Sequence, residues 1–128
     1  MEIAKLCGGL LGCFVGDAMG APVEFACRGS FDPVVGYRAG GVFNLPAGCW
    51  TDDSVQEYAS MDTMQICGKW NSKAFIARLW LWNRFGFYSP TGRCFDIGIQ
   101  TRSAISQFEQ DNVEAWCESH WGVDPVGS

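Results

Sequence analysis

The sequence predicts an all-α domain, and two observations carry that prediction. Apolar residues recur at helical spacing in several separate segments, whereas no stretch alternates polar and apolar residues for long enough to indicate a strand. Helix boundaries are also marked, because Asn71 or Ser72 can cap one apolar segment and Gly86 can end it. We therefore expect residues 1–128 to form a single helical domain without a sheet.

The first predicted helix covers residues 2–20 and carries a stripe of glycines. Gly8, Gly12, Gly16 and Gly20 recur every four residues and so share one face of a helix. Each interior glycine costs about 0.5–1 kcal/mol of helix stability relative to alanine. We therefore expect this smooth face to be buried against another helix.

The rest of the chain divides into a long loop and further helices. Residues 21–50 contain three prolines and five glycines and predict a loop of a length that is often functional. We expect a second helix from Asp52 or Asp53 to Gly68, a third from Asn71 or Ser72 to about Phe85, a fourth after Asp96, and a short fifth over 113–121. In the fourth, the residues expected to face inward are Ile97, Ala104, Ile105 and Phe108.

Composition excludes several classes of protein. With 48% apolar and 18% charged residues, the 128-residue chain can bury a real core and is not disordered. A net charge of −5 without a basic stripe argues against ordinary nucleic-acid binding. The seven cysteines form no Cys-x-x-Cys motif, which indicates reduced thiols in a cytoplasmic protein. The N-terminal apolar run is interrupted by Asp17 and is expected to be too short for a membrane span.

Thr51, Asp52 and Asp53 place a hydroxyl and two carboxylates together at the start of a predicted helix. Such oxygen donors are the ligands that Mg²⁺ and Ca²⁺ prefer. The same residue types also form ordinary helix N-caps, in which side-chain oxygens accept from free amides of the first turn. Both interpretations stay open from these residues alone. For Asp17 we expect a structural role, in which its carboxylate satisfies backbone groups or an adjacent helix end.

Three segments, taken in order, resemble the ADP-ribosylglycohydrolase family. Residues 12–25 are similar to the family's glycine-striped helix that runs into Gly-Asp-Ala-x-Gly-x-Pro-x-Glu. Residues 48–54 are similar to its Thr-Asp-Asp metal motif, and residues 92–98 are similar to its Asp-Ile-Gly segment. The resemblance covers nearly the whole chain but only the N-terminal part of the family's all-α domain.

The resemblance implies a set of site residues. Thr51, Asp52 and Asp53 would supply oxygens to a binuclear Mg²⁺ site that clamps ribose hydroxyls and orients a water. Glu24 would lie at the pocket edge as an acid/base or gating carboxylate. Asp96 would contact the ribose or a metal-bound water. The implied reaction is hydrolysis of an ADP-ribosyl glycosidic bond.

The sequence also departs from the family pattern. The family's second metal motif, Asp-x-Asp-Thr/Ser, and its Gly-Asn-Gly-x-x-Met-Arg segment do not occur in this chain, and Ile99 stands where a polar residue is common. We therefore expect a truncated domain in which Mg²⁺ binding is weak or absent. The function that we prefer at this point is a non-catalytic protein-binding module. It would be an inhibitor or adaptor, for example one encoded by a virus and acting on host machinery.

The alternative is Mg²⁺-dependent hydrolysis, performed alone or together with a complementary half. In either case the missing half would leave apolar surface uncovered, so we expect binding to another protein or self-association, with ADP-ribose as a further ligand. Aromatic side chains are the expected anchors for a partner, and the candidates are Trp80, Trp82, Trp116 and Trp121. The single histidine, His120, is expected to be a surface residue.

Overall fold

The computed structural model describes the backbone of residues 2–121 and the side chains of residues 2–112 and 115. Its helices are α1 (Ile3–Gly20), α2 (Asp52–Cys67), α3 (Ser72–Phe85) and α4 (Ile99–Trp121), and a 3-10 turn (Ala21–Val23) follows α1. These residues contain no strand, and their β-structure is an isolated antiparallel bridge between Gly40 and Leu45. The all-α prediction is confirmed.

Local signals end the helices where the sequence predicts. The side chain of Asn71 caps α3, because its Oδ1 accepts from the amide of Ala74 at 3.0 Å. Gly86 ends α3 in the left-handed conformation with φ +73°, and its amide donates to Trp82 O. A Cβ atom at Gly86 would collide with the backbone of Gly92, so only glycine fits this turn. Gly68 ends α2 in the same left-handed way.

The core forms where α2, α3 and α4 meet. The helices pack in chain order, α1 on α2, α2 on α3 and α3 on α4. The buried core residues are Val55, Ala59, Leu79, Trp82 and Ile105. Trp82 is only 1% exposed, so its prediction as a partner-binding anchor is wrong. Trp80 is half-buried against the core, and the side chains of Trp116 and Trp121 lie outside the described residues, as does His120.

Helix α4 differs from the prediction in two respects. It runs without a break from Ile99 to Trp121, so the predicted fifth helix is the C-terminal part of α4. Ile105 is buried and Phe108 half-buried as predicted, whereas Ala104 is exposed. The reason is geometric, because Ala104 is one residue away from Ile105 and therefore about 100° around the helix. Ile97 precedes the helix and packs against the core.

The predicted packing of the glycine stripe is wrong for the part of the chain that the structure describes. A Cβ atom added to Gly8, Gly12, Gly16 or Gly20 would meet nothing within 4 Å. Helix α1 instead turns another face toward α2, and Ala18 is its buried residue. The ring of Phe14 makes an edge contact with Trp50, with ring centroids 5.5 Å apart. The stripe therefore lies on the open side of α1.

The exposed helix is also apolar. By length and composition alone, the segment Ile3–Val23 could cross a membrane, with a mean hydropathy of 1.4 over its most apolar window. The expectation that this run is too short was therefore wrong. The core helix of a soluble protein and a signal sequence pass the same test, so the finding does not choose among them.

Asp17 joins α1 to the start of α2. Its Oδ2 accepts from the amides of Thr51 and Ser54, at 2.9 and 3.1 Å, and from Ser54 Oγ at 2.6 Å. Its Oδ1 accepts from Thr51 Oγ1 at 2.7 Å. The carboxylate therefore satisfies free amides at the N-terminus of α2 from a neighbouring helix. The predicted structural role of Asp17 is confirmed.

A second polar network holds Trp50, which directly precedes Thr51 at the N-terminus of α2. Asp62 on α2 accepts from Arg78 Nε at 2.7 Å and from the hydroxyl of Tyr88 at 2.9 Å. These hydrogen bonds, that of Arg78 first, lower the pKa of Asp62. The carbonyl of Tyr88 in turn accepts from Trp50 Nε1 at 2.9 Å. Trp50 is thus held against the loop that follows α3.

We expect Asp17→Ala to lower the free energy of unfolding by about 3 kcal/mol. The substitution removes a charged acceptor and leaves the amides of Thr51 and Ser54 without it in a buried place, where Ser54 is 0% exposed. Chemical denaturation followed by circular dichroism measures the change. Asp32→Ala is the control, because Asp32 is an exposed loop residue, and it should change the value by less than about 0.5 kcal/mol. Equal effects of the two substitutions would contradict the proposed attachment.

Gly12→Ala should stabilise the protein by about 0.5–1 kcal/mol, since alanine favours the helix and meets open space. Gly86→Ala should destabilise it, because a side chain at φ +73° would strike the backbone of Gly92. Denaturant unfolding of both variants tests the two geometries together. A clear loss of stability in Gly12→Ala would show that the glycine face is covered after all.

Candidate active site

The Thr51–Asp52–Asp53 motif begins α2, but Thr51 does not cap it. Thr51 has an extended backbone, with φ −113° and ψ −155°, and its side chain makes no cap hydrogen bond to the helix. Its hydroxyl donates to Asp17 instead, and Asp17 takes over the capping role. The ordinary N-cap interpretation is therefore wrong for Thr51. The carboxylates of Asp52 and Asp53 are consequently not needed to cap the N-terminus of α2.

Glu24 is positioned by the 3-10 turn that follows α1. Its amide donates to Ala21 O at 3.3 Å, which closes the turn. The loop carrying Gly41 packs tightly on this turn, because a Cβ atom at Gly41 would lie 2.9 Å from Ala21 O and from Pro22 Cα. Gly41 also has φ +76°, so the close approach requires glycine. The turn therefore holds Glu24 near the start of α2.

Asp96 approaches Glu24 from the loop before α4. Its backbone is left-handed, with φ +57°, a conformation that aspartate tolerates better than most residues. Glu24 and Asp96 share a side-chain hydrogen bond. Burial first, then this hydrogen bond and the charges of Asp96, Asp52 and Asp17, raise the pKa of Glu24 to about 7. The two carboxyl groups therefore titrate as an interacting pair.

Asp52 belongs to the same electrostatic cluster. Burial contributes most to its shift, the charges of Asp96 and Asp53 add to it, and together they raise its pKa to about 6. Burial also raises the pKa of Asp96, although the hydrogen bond from Glu24 opposes the shift. The acidic site, which we define as Glu24, Asp52, Asp53 and Asp96, therefore holds more negative charge than it can easily keep at neutral pH. Such a cluster favours protons or a cation.

A small cavity opens onto the acidic site. Its volume is about 270 Å³, and its walls are formed by Asp17, Gly20, Ala21, Val23, Glu24, Thr51 and Asp53. Glu24 and Asp53 can therefore reach one small ligand. Within the described side chains, no three Asp, Glu, His or Cys residues converge closely enough to hold a metal ion by themselves. The arrangement brings the predicted residues together but forms only part of a metal cage.

The donor chemistry nevertheless fits Mg²⁺. All the groups on offer are oxygens, two of them on adjacent carboxylates, and Mg²⁺ is usually bound by one or two carboxylates while it keeps several waters. The raised pKa of Asp52 marks negative charge that a cation would stabilise. Thr51 Oγ1 gives its proton to Asp17, so its lone pairs remain available to a cation. The site of Asp52 and Asp53 is thus suited to a hard cation when further ligands are supplied.

One acidic residue near this site was missed at the sequence level. Glu57 lies one helical turn after Asp53, and its Oε2 is buried without a hydrogen-bond partner among the described residues. On α1, Cys13 lies one turn before Asp17 and faces Glu57. The hydrogen bond to Glu57 is the main reason that the pKa of the Cys13 thiol rises to about 11, so this thiol is not activated. Spacing of four residues from Asp53 was the signal that could have identified Glu57.

Comparison with known proteins agrees with the motifs. The sequence model of the ADP-ribosylglycohydrolase family matches residues 2–127. A protein named ADP-ribosylarginine hydrolase Tri1 from Pseudomonas putida (strain GB-1) is 39% identical over 106 residues, which are 83% of this chain and 28% of that protein. The protein of the same name from Serratia proteamaculans (strain 568) is 38% identical over 109 residues, which are 84% of this chain and 29% of that protein.

The chain therefore spans less than a third of the length of these relatives. The segment that the family model matches contains the glycine-rich first helix, the Thr-Asp-Asp motif and the Asp-Ile-Gly segment, and residues of the first two form the walls of the acidic cavity. With the family model matching almost every residue, the chain belongs to the ADP-ribosylglycohydrolase family.

Proposed function

We propose that this chain forms one side of an active site that hydrolyses an ADP-ribosyl glycosidic bond. One observation carries the proposal, namely the electrostatic coupling of Glu24, Asp52 and Asp96 beside a cavity at the N-terminus of α2. Carboxylates whose pKa values are raised by burial and by one another are typical of catalytic sites. This geometry favours the hydrolase over the non-catalytic module that the sequence alone led us to prefer.

Each residue has a role in this proposal. Asp52, Asp53 and Thr51 would hold Mg²⁺, and Asp17 would keep them in place. Bound Mg²⁺ supplies Lewis acidity, which stabilises developing negative charge and lowers the pKa of a coordinated water. Glu24, with a pKa of about 7, can give a proton to a leaving group or take one from water at neutral pH. Asp96, which interacts with Glu24, would hold it in position for this exchange.

The relatives support a substrate class. Both carry the name ADP-ribosylarginine hydrolase, so we propose an N-glycosidic bond between ADP-ribose and arginine as the bond that is cleaved. The guanidine leaving group must gain a proton as that bond breaks. A protonated Glu24 beside the cavity is suited to donate it. The ligands on the other side of the cavity would come from sequence beyond these 128 residues or from a second chain.

A chimera tests the roles of the carboxylates. Residues 2–121 of this chain would replace the matching segment of the Pseudomonas putida relative, which supplies the rest of its own length, more than two thirds of it. We expect the chimera to release ADP-ribose from an ADP-ribosylated arginine peptide in the presence of Mg²⁺. Asp53→Asn should lower kcat/KM by about 100-fold or more, because it removes a ligand charge. Asp32→Asn, on an exposed loop, is the control and should leave the rate unchanged.

Two results would contradict this proposal. One is a folded chimera without activity, and the other is an active chimera whose rate is insensitive to Asp52→Asn and Asp53→Asn. Circular dichroism and a thermal melt identify the folded state. The parent relative, assayed in parallel, fixes the rate against which each variant is compared.

The pKa shifts also predict how stability depends on pH. Glu24 and Asp52 have folded pKa values of about 7 and about 6, above their ordinary values of 4.5 and 3.8. The unfolded chain therefore releases these protons at lower pH than the folded chain does. The contribution of the two groups to stability is fully present below about pH 4 and falls as pH rises to about 7. Without metal, the denaturation midpoint should be lower at pH 8 than at pH 5.

Glu24→Gln should flatten this pH dependence, because an amide does not ionise. Added Mg²⁺ should restore stability at pH 8 in the parent chain, since the cation would offset the same charge. Glu2→Gln is the control, because Glu2 is exposed and distant in sequence from the cluster. A midpoint in the parent that does not change between pH 5 and pH 8 would show that the carboxylates are not coupled.

A second candidate function is favoured by the apolar side chains that α1 exposes. The side chains of Ile3, Leu6, Leu11 and Val15 are 79%, 45%, 65% and 42% exposed. Large exposed apolar surface is typical of protein interfaces. An inhibitor or adaptor that binds another protein through α1, or a chain that self-associates, would fit the same observation. An inactive chimera, combined with partner binding or association that Leu11→Glu abolishes, would favour this candidate over the hydrolase.

A further inference from the structure

A groove larger than the acidic cavity is lined by Phe95, the residue that directly precedes Asp96. Its volume is about 520 Å³, and it is formed by segments 43–46 and 90–95. The rings of Phe43 and Phe95 meet in its wall, with centroids 5.3 Å apart and planes inclined by 51°. Ligand pockets commonly have volumes of about 300–1,000 Å³. The groove is therefore large enough for a nucleotide and offers aromatic surface for a planar base.

The groove carries positive charge, unlike the acidic site. Arg93 lies in its wall and is exposed, and its guanidinium forms no ion pair with any described carboxylate. A second cation, Arg102 on α4, is close enough to lower the pKa of the Cys94 thiol, which also lines the groove. Unpaired guanidinium groups beside aromatic rings form a suitable surface for phosphate and for a stacked base.

The groove and the acidic site are neighbours. Phe95, in the groove wall, directly precedes Asp96 of the acidic site. Burial is the main cause that raises the pKa of Cys94, and the hydrogen bond from Asn83 opposes the shift. The charge of Arg102 lowers this pKa and the charge of Asp52 raises it, so Cys94 lies within reach of both kinds of charge. The chain adjacency of Phe95 and Asp96 makes it reasonable to ask whether one elongated ligand contacts the acidic site at one end and Arg93 at the other.

The acidic site and the positively charged groove together match a substrate that carries negative charge at one end and none at the other. A diphosphate has about two negative charges at neutral pH, and placing it among the carboxylates would cost free energy by like-charge repulsion. The uncharged ribose can lie at the acidic site, where a cation would bind its hydroxyls. The diphosphate and the base would then lie in the groove that Arg93 and the aromatic rings line.

We propose that the groove between segments 43–46 and 90–95 binds the adenosine diphosphate end of the substrate, with Arg93 on the phosphates and the Phe43–Phe95 pair against the base. The proposal rests on the proposed function for the class of substrate. It assigns Arg93 and Phe43 to nucleotide binding, whereas the carboxylates of the acidic site act at the ribose.

Calorimetric titration of the purified chain with ADP tests the groove without any need for hydrolysis. We expect Arg93→Gln to weaken ADP binding by about tenfold, because it removes a charged bond to phosphate. Phe43→Leu should weaken ADP binding by a similar factor and leave ribose 5-phosphate binding less affected, since the ring contacts the base. Photolabelling with 8-azido-ADP should modify residues in segments 43–46 or 90–95.

Lys69→Gln is the matched control for net charge. Lys69 follows the C-terminal end of α2, about 24 Å along that helix from Asp52, and lies outside the groove. This variant should bind ADP as the parent does. Circular dichroism and a thermal melt identify any variant that is not folded, and Arg93→Gln, which changes an exposed side chain, keeps the test decisive if Phe43→Leu does not fold.

The outcomes separate this inference from the proposed function. If ADP does not bind at millimolar concentration, or if Arg93→Gln binds it as well as the parent does, the groove is not the nucleotide site. If an arginine peptide without ADP-ribose competes for the photolabelled segments, the groove binds the peptide and the inference is wrong. If the chimera is inactive but ADP binding depends on Arg93, the proposed function fails while the groove stands. If the chimera is active with a KM that Arg93→Gln does not change, only the groove inference fails.

Discussion

The hydrogen bonds that Asp17 accepts from Thr51 and Ser54 are the interaction on which the acidic site depends. A helix start normally uses the side chain of its own first residues to satisfy free amides. Here a carboxylate from α1 does so, and Thr51 adds its hydroxyl to the same acceptor. The two aspartates that follow are thereby released from capping. Their backbone is nevertheless fixed, which is the condition for placing charged groups close together.

The site concentrates like charge that the fold does not neutralise. Glu24, Asp52 and Asp96 come from three different segments, and each has its pKa raised mainly by burial. The nearby ion pair between Arg78 and Asp62 belongs to a separate network, which serves to hold Trp50 through Tyr88. None of the causes that shift the pKa of these three carboxyls is an arginine, so a cation or a proton would stabilise this half-buried acidic cluster.

The sequence predicts those features that local chemistry decides. The ends of α2 and α3 follow from glycines at Gly68 and Gly86, and the role of Asp17 follows from the need to satisfy a polar group in an apolar helix. The wrong predictions share another cause. The burial of Trp82 and the exposure of the glycine stripe depend on which helices pack against each other. The apolar composition of a helix does not determine its packing partner.

The site shows the same division. The motifs identified Glu24, the Thr-Asp-Asp run and Asp96, because residue type and order are visible in the chain. The hydrogen bond between Glu24 and Asp96, and the buried oxygen of Glu57, arise only when distant segments meet. The left-handed backbone of Asp96 could not be predicted from the sequence either, because no neighbouring residue marks a turn that requires it.

Packing in chain order has a consequence for how the molecule opens. Because α1 contacts α2 and the turn after it, while α2, α3 and α4 share the core, α1 can detach without disrupting that core. Its departure would withdraw Asp17 and leave the amides of Thr51 and Ser54 to solvent. Partial unfolding of this kind would dismantle the acidic site while most backbone amides stayed protected from hydrogen exchange. The geometry of the acidic site would therefore be lost at a lower temperature than the fold itself.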